Sequence, residues 1–544
     1  MPALDYIVIL LFTLMIMIVG LAFTNSGQSM KSFFAAGGAL PWWLSGLSLF
    51  MSFFSAGTFV VWGSIAYKYG WVAVTIQWMM ALGGFVIGFF IAPKWRKAGV
   101  LTVGSYIGQR FGPGLKQFYS YIFLVLSFVT TGAFLYPVAK LVNVSTGFSI
   151  EWSIIVLGLL IIVYTAAGGL WAVVITDVLQ FVILFAAVLI VVPLAIGKIG
   201  GISQFTAQAP SDFFNLINGE YTAGFLLAFT LYNIVFIGGN WAYVQRYTSV
   251  ASPQDAKKAA WLFGTLYLVS PVLWMIPPMI YKVLDGGSLE GLENEGAFLL
   301  MCKQVLPKGL LGLMLGGMIF ATASSVNTTL NMSAAVFTND IYPRIHKALS
   351  AKNLMRTARI STAVFGFITI GVALLVPQAG GIVEVVLSVG AITGAPLFAP
   401  PVWALFSKRQ TAFSITATTL LGLGINLGFK FLTPLWINFS LNREQEMLVG
   451  VFIPMAILAL FEGYYHFRPH HPVIPYQIQP VDVEKQTPSR QQNHFALKVL
   501  GIALITTSLM VIILGVIASS NQLLVILVGG CIAIVGGLLY IKYR

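Results

Sequence analysis

Charge is what this chain has least of. Asp, Glu, Lys and Arg together make up 9% of its 544 residues, where a soluble chain carries about 25%. So few charges cannot cover a water-facing surface of that size, which excludes a set of soluble domains. Cysteine is nearly absent: Cys302 and Cys531 are the only two, far apart and each in or beside an apolar segment. They give no disulfide framework. The five histidines, His346, His466, His470, His471 and His494, fall in polar loops or at the ends of apolar segments. None is placed to ligate haem or copper at mid-membrane. No G-x-x-x-x-G-K-[ST] stretch occurs, so the phosphate cradle of an ATP-driven pump is missing. No pair of spans offers a nucleophile with its base, so no catalytic residue is assigned and an enzyme is not expected.

What fills the chain instead is apolar: 58% hydrophobic residues, with 54 glycines besides. Apolar stretches of about 20 residues number fifteen. They are 4–24, 41–66, 70–93, 118–143, 152–169, 171–196, 222–246, 257–283, 306–341, 357–376, 381–406, 411–432, 447–466, 495–518 and 521–541. The expected fold class is an all-α polytopic membrane protein of about 15 transmembrane helices, with the lipid bilayer as its solvent. The fifth and sixth stretches meet at Gly168-Gly169-Leu170, where a turn is expected. The first stretch carries only Asp5 as an early charge and lacks the basic leader of a cleaved signal peptide.

The net charge of +13 is a matter of topology. With the N-terminus outside, 22 of the 30 basic residues fall on the inner side, Arg96, Arg246, Lys257 and Arg356 among them. The acidic stretch Asp285, Glu290, Glu293, Glu295 falls outside. Retention of Lys and Arg on the cytoplasmic side predicts a multi-pass protein of the cell membrane, N-terminus out and C-terminus in. It implies neither a nucleic acid nor a protein partner. Residues 467–494, with Pro469, Pro472, Pro475, Pro480 and Pro488, read as a polar cytoplasmic linker ahead of a C-terminal helix pair, 495–544.

Three embedded features stand out. In the second span, Ser52-Phe53-Phe54-Ser55-Ala56-Gly57-Thr58 interrupts an apolar run with small and polar residues. Such a stretch lets a helix unwind and free carbonyl oxygens that line a cavity or bind an ion; close packing of helices through small residues is the other reading. In the ninth span, Ala321-Thr322-Ala323-Ser324-Ser325-Val326-Asn327-Thr328-Thr329 places hydroxyls at 324 and 328 on one face. Neutral oxygens suit a monovalent cation, since divalent ions call for more carboxylates; bonding of each hydroxyl to its own helix is the alternative. The third is Asp177 in the sixth span. A carboxylate within a span costs at least about 2.5 kcal/mol and by default marks an ion or proton site, unless it snorkels to the inner surface.

These residues resemble a family. Ser32-Phe33-Phe34-Ala35-Ala36-Gly37-Gly38-Ala39-Leu40-Pro41-Trp42-Trp43, then Gly46-Leu47-Ser48 and Ser55-Ala56-Gly57-Thr58-Phe59, look like the opening of the sodium:solute symporters, which include bacterial sodium/sugar, sodium/proline and sialic acid transporters. Residues 168–180, 240–246 and 321–342 agree in the same order. The resemblance spans about residues 5 to 410. It implies a LeuT-type core of two inverted five-helix repeats with additional N- and C-terminal helices. The expected division is 1–40, N-terminal helix and inner loop; 41–196, first repeat; 197–221, outer loop; 222–410, second repeat; and 411–466, two accessory helices.

The resemblance also implies Na+ as the coupling ion. Matched residue by residue, Met51 and Phe54 would offer backbone oxygens, Ala321 a carbonyl, and Ser324 and Ser325 hydroxyls. Asp177 matches an aspartate that assists sodium coupling. Ser324, Asn327 and Thr328 fall where some members hold a second sodium, although the two-sodium member has serine at position 327. Thr58, Gln77, Asn233, Phe236 and Tyr267 are the expected solute contacts. Gln77, Tyr267, Gly57 and Thr58 stand where the sugar transporters have glutamate, lysine and a Glu-Gln pair, so the sugar pattern is not retained. The implied activity is symport of a small polar organic solute, in the sugar, amino acid or carboxylate class. A sodium-independent facilitator or a transporter-like sensor is the alternative.

Overall fold

A computed structural model describes residues 1–23, 36–38, 40–100, 102–345, 351–376, 382–468, 487–518 and 520–544. Among them the chain is helical throughout, with two isolated bridges and no strand. The principal helices are α1 (Ala3–Leu21), α2 (Trp42–Phe53), α3 (Thr58–Tyr69), α4 (Val72–Phe90) and α5 (Pro113–Thr146). Next come α6 (Ile150–Lys198), α7 (Ala223–Gly239), α8 (Trp241–Thr248), α9 (Pro253–Trp274) and α10 (Leu310–Val336). The series ends with α11 (Ala351–Leu375), α12 (Ile382–Ala404), α13 (Ala412–Leu427), α14 (Arg443–Phe467), α15 (Thr487–Ile517) and α16 (Gln522–Lys542).

Among the described residues twelve helices are long and apolar enough to cross a bilayer, and α2 with α3 and α7 with α8 pass the same test as two sharply bent pairs. The stretch Ile150–Val163 is apolar but shorter. The fifteen sequence stretches are thus all present as helix. Two boundaries differ from expectation. Helical hydrogen bonding runs unbroken from Ile150 to Lys198, so Gly168-Gly169 ends no helix: glycine permits a turn without requiring one. The polar linker lies mostly outside the described residues, at 469–486, and α15 begins at Thr487 inside its expected range. Lys31, His346, His470 and His471 also lie outside the described residues.

The core is organised around α10. Every residue from Leu310 to Val336 is buried, as a helix apolar or small on all sides requires. It packs against α1, α2, α5, α6 and α8. Small residues allow the close approaches: a Cβ at Gly317 would meet Leu184 Cδ2 of α6 at 2.8 Å, and one at Gly312 would strike the Asp5 backbone.

Asp5, which the sequence shows only as an early charge, is 1% exposed. Its Oδ1 accepts the Gly309 and Gly312 amides at 2.7 and 2.9 Å. The carboxylate thereby caps the N-terminus of α10, where unpaired amides and the helix dipole favour a negative group. The remaining surface of α1 is greasy, with Leu10, Leu14 and Ile18 each at least half exposed. α15 and α16 pack on each other, and α15 also touches α6.

Candidate functional site

The second span breaks where its small and polar residues begin. α2 ends at Phe53, Phe54 takes an extended conformation (φ −84°, ψ 110°), and α3 departs at 58°. Four successive amides then bond elsewhere than to the carbonyl four residues back. Ser55 N–H donates to Thr58 Oγ1 at 3.2 Å, and Ala56 N–H to Thr322 Oγ1 of α10 at 2.9 Å. Gly57 N–H donates to Ser55 Oγ at 3.1 Å, and Thr58 N–H to the Ser55 carbonyl at 2.9 Å. The carbonyls of Met51, Ser52, Phe53 and Phe54 are therefore released from helical bonding, which is tolerated at depth only beside a cavity or an ion.

α10 lies opposite these carbonyls. Ser325 Oγ donates to the Met51 carbonyl across a long 3.4 Å. Ser324 Oγ is buried with no hydrogen bond closed, although it sits beside the Asp177 carboxylate. Ala321, three residues earlier, faces the same way and is fully buried.

Asp177 is also fully buried, so snorkelling is excluded. Its Oδ2 accepts from Ser48 Oγ and lies 3.9 Å from Arg246 Nη2; its Oδ1 has no partner. Arg246 is equally buried. Nε donates to Ser48 Oγ at 2.9 Å, Nη1 to Gln245 Oε1 at 3.1 Å and Nη2 to Thr328 Oγ1 at 2.9 Å. Arg246 was expected at the inner surface; it is instead a buried cation held by α2, α6 and α10. A desolvated ion pair is repaid only with the help of further hydrogen bonds, and Ser48 bridges these two.

On the other side of the break lies a cavity of about 170 Å³. Ser55, Gly57 and Thr58 form one edge; α5, α7, α8, α9 and α12 supply most of the remainder, with Met80 of α4, Thr329 of α10 and Met447 of α14. Among the described residues its lining contains no charged side chain. Aromatic rings dominate: Phe53 lies 4.1 Å from the Tyr243 ring and 6.1 Å from Phe236, and Phe236 stacks on Tyr232 at 5.1 Å. Asn233 reaches the cavity, with Nδ2 donating to the Phe229 carbonyl of its own helix at 2.7 Å. Tyr267 packs on Phe50 at 5.0 Å and Phe263 at 4.8 Å. Asn240 bends the far wall: α8 leaves α7 at 61°, and Asn240 Oδ1 caps the new helix by accepting the Ala242 amide at 3.0 Å.

Of the expected residues, Met51 meets Ser325 and Asp177 meets Ser324 where α2, α6 and α10 come together; Phe54 and Ala321 lie three residues from Met51 and Ser324 respectively. Thr328 belongs to the same group, with its hydroxyl engaged by Arg246; Asn327 is buried on the same helix. Thr58, Asn233, Phe236 and Tyr267 border one cavity. Gln77 does not: it is buried, Nε2 donates to the Ala73 carbonyl of its own helix at 3.1 Å, and it lines no part of the cavity. Sequence reading missed Ser48, Arg246 and Tyr243 as members of the site. Arg246 ends the distinctive Asn240–Arg246 stretch, but an arginine at the end of a span reads equally well as an inner-side charge.

A family model described as "Sodium:solute symporter family" matches residues 33–422. Among curated proteins, mouse "Solute carrier family 5 member 4B" is 27% identical over 78% of this chain and 72% of its own. Mouse "Sodium/glucose cotransporter 1" is 28% identical over 75% and 68%. The "Sodium/glucose cotransporter" of Vibrio parahaemolyticus is 26% identical over 79% and 84%. Among solved structures, a sodium-coupled sialic acid symporter in a substrate-bound, outward-open state superposes with a TM-score of 0.73 at 22% identity, over 87% of this chain and 99% of that one. A closed nucleobase-cation-symport-1 family transporter with bromovinylhydantoin bound gives 0.50 at 13% identity, over 84% and 97%. The fold is thereby the LeuT-type inverted-repeat fold.

Proposed function

The chain belongs to the sodium:solute symporter family, and on that premise we propose that it imports a small polar organic solute together with sodium by alternating access. The observation that carries this reading is the set of released carbonyls at Met51–Phe54 facing Ser324 and Ser325. Five neutral oxygens, from Met51, Phe54, Ala321, Ser324 and Ser325, would hold one Na+. Asp177 attracts the ion from one turn further along, close to Ser324. Asn327 and Thr328 are the positions for a second sodium, but the Arg246 guanidinium already bonds to Thr328 and lies 3.9 Å from Asp177. A fixed cation there repels another, so the reading is one sodium per cycle.

Coupling has a physical basis in the break itself. Residues 51–58 turn carbonyls toward α10, while Ser55, Gly57 and Thr58 edge the cavity. An ion that fixes the carbonyls also fixes the cavity edge, which lowers the ordering cost of binding solute. Thr58, Asn233 and Tyr267 are the proposed polar contacts, and Phe236 stacks over the solute. The uncharged, aromatic wall favours a solute with an apolar face and no unpaired charge in that wall. Gln77 is dropped as a contact. The gathering of Lys and Arg on one side supports a cell-membrane protein with its N-terminus out.

The test is a thermal-shift screen of sugars, amino acids and carboxylates on purified protein in sodium and in potassium, followed by uptake of each hit into proteoliposomes. A solute that stabilises only in sodium and accumulates against its gradient when sodium drives it supports the reading. Equal flux in potassium marks a facilitator instead.

A further inference from the structure

One buried side chain beside the ion site has no assigned role. Gln180 is fully buried, and neither Oε1 nor Nε2 has a hydrogen-bond partner among the described residues. An unpaired buried amide costs about 1–3 kcal/mol, so something must compensate for its retention.

The helix register says what Gln180 faces. α6 and α10 run antiparallel, with Leu184 against Gly317 at one point and Asp177 against Ser324 at another. The two contacts are seven residues apart on each helix, so position 180 falls opposite position 321 between them. At 3.6 residues per turn, positions 177, 180 and 184 form one stripe, as do 317, 321 and 324. α2 gives the same level independently. Ser48 bonds to Asp177, and Phe50 meets the Phe181 ring at 5.7 Å. Gln180 therefore lies level with both Met51 and Ala321.

We propose that Gln180 is a further member of the ion site. Its Oε1 turns to the sodium as a sixth neutral oxygen beside those of Met51, Phe54, Ala321, Ser324 and Ser325. Its Nε2 then donates to Asp177 Oδ1, one turn away on the same face and itself without a partner. Ion binding satisfies both unpaired groups at once and passes the ion's arrival to the Asp177–Arg246 pair. The inference rests on the proposed sodium site.

The test measures melting of the purified full chain across sodium concentrations, with potassium making up the ionic strength. Gln180→Leu should raise the sodium needed for half-maximal stabilisation about fivefold, while melting in potassium alone is unchanged or higher, because an unpaired amide has been removed. Gln180→Glu keeps an oxygen in place and should bind sodium at least as tightly as the parent. A Gln180→Leu protein with parental sodium dependence overturns the proposal. So does one that loses stability equally in potassium, or fails to fold there, since that marks a structural hydrogen bond. Ser325→Ala separates the two levels. If it weakens sodium binding and Gln180→Leu does not, only Gln180 is misassigned; if neither does, the ion site itself is wrong.

Discussion

The two sides of the broken second span are built from opposite materials. Toward α6 and α10 lie a buried carboxylate, a buried guanidinium and a row of hydroxyls, joined through Ser48 and Thr328. Toward α5, α7 and α12 lie aromatic rings and a few amides and hydroxyls, with no charge among the described lining residues. The first side is demanding, because each buried charge depends on its partner and one deletion leaves the other exposed to a low dielectric. The second is forgiving, because rings tolerate many occupants and polar contacts add selectivity one at a time. On the proposed assignment, the ion would sit in the fixed cage, and the solute side could be altered without touching it.

The sharpest way to break this contrast is to remove one charge. Arg246→Met strands Asp177 in a buried site and should cost about 3–5 kcal/mol, read as lost expression and a collapsed melting temperature. The double variant Arg246→Met with Asp177→Asn should recover much of that loss. Additive losses would mean that the 3.9 Å pair carries no coupling.

On the solute side, Asn233→Ala should weaken solute binding by roughly ten- to hundredfold, the effect of losing one or two buried hydrogen bonds. Sodium-induced stabilisation should stay intact, as shown by sodium titrations without solute. Ser325→Ala reverses the pattern. The sodium needed for half-maximal uptake should rise about tenfold or less, with solute affinity at saturating sodium unchanged. If either variant moves both parameters equally, the two sides are not separable.

The smallest effect belongs to Gln77→Leu. Gln77 bonds to its own helix and its Oε1 has no partner, so solute affinity in a binding titration should not change. A marked loss would return Gln77 to the cavity wall.

The two sides also differ in how plainly the sequence announces them. Asp177 and the Ser324-Ser325 pair stand out because a charge or a run of hydroxyls is costly in an apolar stretch. The unwound second span is legible for the same reason, since small polar residues interrupt a helix that has no water to bond to. Arg246 was misplaced because basic residues gather at the inner ends of spans whether they snorkel or turn inward, and hydropathy cannot distinguish the two. Tyr243 and Phe53 lie within distinctive stretches, but nothing marks them as cavity residues: in a chain with 58% hydrophobic residues, an aromatic ring fits any core position. Gln77 lies outside the cavity lining through the rotation of its helix. α4 is apolar on nearly every side, so its periodicity does not say which face meets the cavity. The helices themselves were evident from length and composition; the bends at Phe54 and Asn240 took their angles from hydrogen bonds that no pattern displays.

The cap that Asp5 places on α10 ties the ion site to the bilayer mechanically. Gly309 and Gly312 have their acceptor only while α1 stays docked, so α1 and the head of α10 move as one body or not at all. The outward face of that body is Leu10, Leu14 and Ile18. Any displacement of the helix bearing Ser324 and Ser325 must therefore drag a greasy surface through its surroundings. If the proposed sodium site holds, membrane thickness and lateral pressure would act on Ser324 and Ser325 through a carboxylate near the start of the chain.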